Sequence, residues 1–342
     1  MIVVAGMSDR LLLNEVGAYA QFVESLGYDV LQVPETIHDS MAVALLALEH
    51  TTTLRVQTSL TLAFPRSPML LALQSWDLSR LSEGRFGLGL GTQIRQNIEG
   101  RFGVPWSDPI QRMDDYSTAV RACWNSFQTG EPLKVDTANY RLDRLQPFFN
   151  PGPLSHDAPE LLLGGVNNRA IELAGRSADW FVTHPTNSHP KFLQERALPA
   201  LKKGSKTRTL PPITVTTASP LITGKTRHEV ELSLDRQRAV LAFLYSTPAY
   251  RRTLELFGWA EVGQELQTLT RNGNWSQLKD LLTDDMMTTL LPMGTWSEMP
   301  EVLSEWFKGL CQAIMIQPPE FSERDHVDDD FLQLVAAVKE IK

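Results

Sequence analysis

The sequence predicts a (β/α)8 TIM barrel with a helical insertion between strands seven and eight. Two observations predict the barrel. Eight short apolar or β-branched runs alternate with stretches of helical spacing along 342 residues. The fourth run carries glycine at every second position, Gly87, Gly89 and Gly91, and leads into polar Thr92 and Gln93. Side chains alternate across a strand, so the glycines share one face and Phe86, Leu88 and Leu90 the other. Interior glycines weaken a strand, so three on one face imply that something approaches that face closely. At a barrel strand's carboxyl end, polar residues sit where ligands bind. A third observation predicts the insertion: from about Arg227 to Phe307 the pattern is helical, with breaks at Pro248, Gly258, Gly273 and Pro292. The expectation is one domain over 1–342, with 227–307 inserted into it.

The elements follow in order. Ile2 to Ala5 reads as a strand and Leu12 to Leu26 as a helix, stopped by Gly27. Val30 to Val33 is strand two; Ser40 is the expected cap of a helix from Met41 to Glu49. Leu54 to Leu62 is strand three, and Pro68 starts a helix that runs to about Leu81. Arg85 to Leu90 is strand four, with Asp77 and Arg85 expected to pair below it. A helix spans Met113 to Phe127, and the Pro- and Asn-rich segment Thr129 to Pro159 reads as irregular. Strands five and six are Glu160 to Leu163 and Trp180 to Thr183, with helices at Arg169 to Gly175 and Phe192 to Lys203. Ile213 to Leu221, Gln312 to Ile316 and a helix from Asp328 to Ile341 complete the series.

Composition bounds the class. At 42% hydrophobic and 21% charged the chain has an ordinary globular balance. A net charge of −8 argues against nucleic acid and an anionic membrane as partners. Cys123 and Cys311 are too few for a disulfide framework, which fits a reducing cytoplasm. MIVVAGMSDR lacks the basic and apolar regions of a signal peptide, and the run Met41 to Leu48 is far too short to span a bilayer. The expectation is a cytoplasmic homodimer acting on a small organic molecule. The glycine strand is not a dinucleotide fingerprint, because Thr92 and Ile94 stand where a third glycine would be required. No metal-ligand spacing, Walker pattern or nucleophile elbow occurs, so no metal site is expected.

Several segments together resemble a known family. RLSEGRFGLGLGT, LGYDVLQVPE, LRVQTSLTLAFPRSP and ELLLGGVNNRAIELAGRSADWFVT are similar to strands of the bacterial luciferase-like flavin monooxygenase superfamily. GTQIRQNIEGRFGVPWSDPIQRMDDY resembles a narrower subgroup, and the whole is most like the coenzyme F420-dependent branch. The resemblance covers about residues 12 to 185; the insertion matches nothing in it. It implies a barrel that binds a deazaflavin, coenzyme F420, or alternatively FMN.

Candidate site residues follow from pattern and resemblance together. Gly164, Gly165, Val166 and Asn167 end a strand and open a helix, where free N–H groups and the helix dipole favour a phosphate; an ordinary βα turn is the alternative. Gln93 and Arg95, with Gly91 and Thr92, lie just past strand four and could reach the same cofactor. The resemblance implies a non-proline cis peptide at Thr58-Ser59-Leu60, with Ser59 and Leu60 backing the flavin ring. Family members frequently place histidine where Thr36 stands, so this chain departs from the pattern. Glu35, Thr36 and His38 are the catalytic candidates there, with Asp39 beside them. Between the histidines His38 is favoured over His184 as acid or base, although a plain helix-entry loop is the stronger reading of His38-Asp39. His184, at the end of strand six, is the further candidate. Arg95 and Arg101 are expected to meet the anionic tail of the deazaflavin. Trp259, Trp275, Trp296 and Trp306 line either a substrate pocket or a core.

Three functional readings follow. The first is hydride transfer between F420 and a small organic substrate. The second is an FMN-dependent monooxygenase using reduced flavin and oxygen. The third is a flavin- or deazaflavin-binding protein without turnover.

Overall fold

The computed structural model describes residues 1–8 and 10–342. Eight parallel strands close a barrel: β1 Ile2–Gly6, β2 Val30–Val33, β3 Arg55–Thr58, β4 Phe86–Gly91, β5 Glu160–Gly164, β6 Trp180–Val182, β7 Thr214–Thr217 and β8 Ala313–Met315. Each strand pairs with its neighbours around the ring, and the circle closes where Val56 and Gln57 pair with Phe86 and Gly87. Val4, Val30, Leu162, Trp180, Val182 and Ala313 fill the interior. Their alternates, among them Val3, Leu31, Val56, Leu88 and Phe181, face the helices in the main core. The floor is sealed by an ion pair between Arg55 and Glu160, with Trp180 Nε1 donating to Glu160 at 2.8 Å.

The glycine face of β4 points into this interior, and what approaches it is strand three. A Cβ on Gly87 would lie 2.9 Å from Gln57, and one on Gly89 only 1.9 Å from the Thr58 carbonyl oxygen. Strand three does not run unbroken over 54–62. After Thr58 the Ser59–Leu60 peptide is cis, and pairing with Leu90 and Gly91 resumes at Thr61–Leu62. Thr58 Oγ1 bridges the gap, accepting from Gly89 N at 2.8 Å and donating to Gly89 O at 3.0 Å.

Helices α1 Val16–Ser25, α2 Ser40–His50, α3 Pro68–Leu81, α4 Pro109–Thr129 and α5 Asn168–Ser177 sheathe the first half of the barrel. The cap of α2 is Asp39, not Ser40. The Asp39 carboxylate accepts from Met41 N and Ala42 N, whereas Ser40 is already helical and its hydroxyl meets Thr61 Oγ1 at 2.8 Å. Arg85 does not pair with Asp77. Its guanidinium donates to Thr51 Oγ1 and to the carbonyls of Leu48, Thr51 and Leu54, tying the end of α2 to the entry of β4. Two pieces of structure arise where none was expected: a helix at Arg95–Gly100, and a two-stranded hairpin of Val135–Asp136 with Arg141–Leu142.

Beyond β7, a strand at Ile222–Gly224 pairs in parallel with Met293–Thr295. Between them lie helices Arg227–Tyr245, Arg252–Leu256, Ala260–Arg271 and Asp284–Leu290. These bury their own apolar cluster, including Leu241, Tyr245, Leu254, Leu266 and Met287. Helix Met299–Phe307 instead sends Met299, Leu303 and Phe307 into the main core. Trp259 and Trp306 belong to one aromatic cluster, bridged by Phe257 and His189. Trp259 stacks on Phe257, Trp275 is 55% exposed, Trp296 packs on Phe331 and Trp306 on His189. Among the described residues no helix is long and apolar enough to cross a membrane.

Candidate active site

The carboxyl ends of the strands form the mouth. On one side Leu60 lies across the ends of β4 and β5. A Cβ added to Gly91 would come within 3.2 Å of Leu60 Cβ, and one on Gly164 within 2.9 Å of Leu60 Cδ1. Glycine at both positions is what lets a leucine side chain close the mouth as an apolar floor. Gln93 leaves β4 in a left-handed conformation, φ 56°, uncommon for a residue with a side chain. Its Oε1 accepts from Ile94 N at 3.0 Å, folding the side chain onto its own backbone.

Beyond β5 the chain turns through Gly165 and Val166 into α5. Asn167 caps this helix, its Oδ1 accepting from Ala170 N at 3.0 Å. The first-turn N–H groups have no partner within a helix, so those of Asn168 and Arg169 remain to bind an anion. Neither Gly164 nor Gly165 has a positive φ. Gly165 is required by packing: a Cβ there would sit 2.8 Å from Ala170 Cβ. A larger residue at 165 therefore disturbs α5 itself.

The loop after β2 is pinned by charge. Glu35 accepts from Leu62 N at 2.5 Å and from Arg66, which also reaches Asp39 at 2.7 Å. Glu35 is only 9% exposed, so this clamp locks the β2 loop to the break in strand three. Thr36 is exposed, and its carbonyl accepts from Arg101 at 3.2 Å. His38 Nε2 donates to the Leu11 carbonyl at 3.1 Å, bridging the loops after β1 and β2.

Across the mouth, His184 continues the inward alternation of Trp180 and Val182. Its Nδ1 accepts from Thr186 N at 3.3 Å and lies 2.7 Å from Thr186 Oγ1. That assigns the proton to Nε2. Burial disfavours the cation and pulls the imidazole pKa down to about 4, so the ring is neutral at pH 7. Tyr250, from the segment after β7, stacks on this ring with centroids 3.8 Å apart. Tyr245 Oη donates to Thr186 O at 3.1 Å, and Thr253 Oγ1 to Asn187 Oδ1 at 3.1 Å. None of these three partners was expected from sequence, since each lies some sixty residues from what it holds and follows no periodicity.

Of the sequence candidates, Ser59, Leu60, Gly91, Thr92, Gly164 and Gly165 gather at the strand ends, with Val166 and Asn167 on the turn into α5. Arg95 is 65% exposed and pairs with Glu99 at 2.9 Å, one helical turn on.

A family model for luciferase-like monooxygenases matches residues 3–311. The chain belongs to that family. Its members are oxidoreductases and monooxygenases. An uncharacterized protein of Mycobacterium tuberculosis (strain ATCC 25618 / H37Rv) is 34% identical over 295 residues, 86% of each chain. A phthiodiolone/phenolphthiodiolone dimycocerosates ketoreductase of the same strain is 28% identical over 226 residues, 64% of this chain and 55% of its own. The fold is shared with a coenzyme F420 dependent tetrahydromethanopterin reductase of Methanopyrus kandleri, at TM-score 0.75, 16% identity and coverage of 99% and 97%. It is shared also with a diketocamphane monooxygenase of Pseudomonas putida in complex with FMN, at TM-score 0.65, 14% identity and coverage of 98% and 94%.

Proposed function

We propose that this protein is an F420-dependent oxidoreductase that interconverts a carbonyl and the corresponding alcohol on a small organic substrate. The observation that carries the reading is His184, held at the mouth as a neutral Nε2–H donor opposite the glycine-lined floor. A neutral imidazole suits polarising a carbonyl oxygen, and is a weak choice for abstracting a proton near pH 7. The relative named as a ketoreductase supports the same substrate class.

The chain's residues fit a flat, phosphate-bearing cofactor. Leu60, with Ser59, would back the ring; Gly91, Thr92 and Gln93 would border it; and Gly164, Gly165, Val166 and Asn167 with the first turn of α5 would hold the phosphate through N–H groups. The cofactor supplies or accepts a hydride when bound. His184 orients the substrate oxygen by hydrogen bond, and Tyr250 fixes the imidazole plane. His38 exchanges the proton of that oxygen with water. Glu35 acts through Arg66 and Leu62 to hold the floor in place, and Thr36 presents its backbone to Arg101.

Titration of the purified protein with F420 and with FMN tests the reading. Tighter binding of F420, with reduction of F420 by a secondary alcohol, is expected. Stoichiometric FMN binding with oxygen consumption and no F420 affinity would establish the FMN-dependent monooxygenase instead. Tight F420 binding with no turnover on any carbonyl or alcohol would leave a binding protein.

A further inference from the structure

A groove of about 500 Å³ opens beside the Gly164-Gly165 turn. Val166, Asn167 and Asn168 form one wall of it, so it is continuous with the N-terminus of α5. Three arginines converge there from three separate elements: Arg169 from α5, Arg196 from the helical segment after β6, and Arg252 from the helix Arg252–Leu256. Glu255 is the one carboxylate in the lining. In a chain whose net charge is −8, three guanidinium groups in one groove run against the overall sign.

These arginines are available to a ligand. Arg169 pairs with Asp108 at 2.8 Å and Arg252 with Glu255 at 3.0 Å, but all four side chains are more than 40% exposed. Exposed pairs of this kind are worth about 0–1 kcal/mol and exchange readily for another carboxylate. Arg196 has no carboxylate within ion-pair distance among the described residues. Guanidinium forks take carboxylates two-handed, which suits a chain of them better than a single point charge.

We infer that this groove binds a chain of carboxylates continuing outward from the cofactor's phosphate, with Arg196 and Arg252 as its main contacts and Arg169 at the inner end. The inference rests on the F420 reading above, because F420 carries an oligoglutamate tail beyond its phosphate and FMN ends at its phosphate. Arg95 and Arg101, the tail contacts expected from the sequence, do not line this groove, so the tail would run past α5 and not toward them. The groove would therefore be the part of the molecule that separates the two cofactors, which the phosphate turn alone cannot do.

The test compares dissociation constants for F420, for the same deazaflavin cut back to its phosphate, and for FMN. Each is measured on the full chain and on the double variant Arg196→Glu/Arg252→Glu. The wild type should prefer the tailed form by tenfold or more, about 1.4 kcal/mol, and the preference should shrink with added salt. The variant should lose that preference while binding of the tail-less form stays within twofold. Both arginines are exposed, so the melting temperature should hold and an unfolded variant is not the expected explanation. Equal binding of both deazaflavins by the wild type would overturn the tail site while leaving the F420 reading intact. No binding of either would overturn both. Saturable binding of free oligo-γ-glutamate to F420-loaded protein would assign the groove to a separate acidic ligand and so overturn it as well.

Discussion

The two sides of the barrel mouth are built differently. Around β3, β4 and β5 the site is made by backbone: glycines that admit a neighbouring strand, a leucine laid across two glycine faces, a helix N-terminus. Around β6 it is made by side chains brought from far along the chain, with His184 fixed by Thr186 and faced by Tyr250. The first side tolerates almost no added atom. The second tolerates added atoms but depends on specific hydrogen bonds and one stack. Substitutions should therefore fail differently, by loss of the fold on one side and by loss of chemistry on the other.

The largest effect is expected at Gly89. A Cβ there lies 1.9 Å from a backbone oxygen that no rotamer change can move. Gly89→Val should yield no soluble folded protein. Gly100→Ala, where a Cβ meets nothing within 4 Å, should melt like the wild type. A folded Gly89→Val protein with an ordinary melting curve would show that the barrel can open between β3 and β4.

Next comes the clamp beneath the floor. Arg66→Met leaves Glu35, 9% exposed, without its cation and should cost about 3 kcal/mol in urea unfolding. Glu35→Gln, which keeps an acceptor for Leu62 N, should cost less. If Arg66→Met is neutral, the clamp holds nothing in place.

The β6 side is read in turnover. His184→Ala should lower kcat/KM about a hundredfold while F420 affinity stays within twofold. Tyr250→Leu should lower it less, and Tyr250→Phe should restore it, because the stack needs the ring and not the hydroxyl. His38→Ala should also lower turnover while F420 affinity stays within twofold. If both single variants and the double variant turn over normally, histidine leaves the mechanism.

This contrast also explains what could be read from the chain. The eight strands were legible because each is a local run, and the mouth between β3 and β5 because alternating glycines are a local pattern. The α2 cap was misassigned by one residue because Asp39 and Ser40 are both good caps, and only backbone conformation separates them. The Arg85 pairing was misread because its partners are carbonyls, which carry no sequence signature. The environment of His184 was illegible for the same reason. Nothing in the spacing of Thr186, Tyr245, Tyr250 and Thr253 says that four residues from two segments will meet.

The smallest effect sharpens the comparison through acid stability. The folded imidazole of His184 titrates at about 4 against its ordinary 6.5, and that of His189, buried against Phe257 and Trp306, at about 4 as well. Below pH 6.5 the unfolded chain binds protons that the folded chain refuses, so stability declines as pH falls. The decline should begin near 6.5 and level off near 4. The carboxylates of Glu24, Asp39 and Asp108 are held below their ordinary range by hydrogen bonds or arginines, so their contribution is lost progressively from about pH 5 downward. The window from 6.5 to 5 therefore reports chiefly the imidazoles. The wild-type melting temperature should fall by a few degrees across that window, and His184→Gln should remove about half of the fall. Substitutions on the glycine side, such as Gly165→Ala, should shift the curve down without changing its slope there. A flat wild-type curve from 6.5 to 5 would mean that His184 accepts a proton without cost. It could not then be the fixed neutral donor on which the proposed carbonyl chemistry depends.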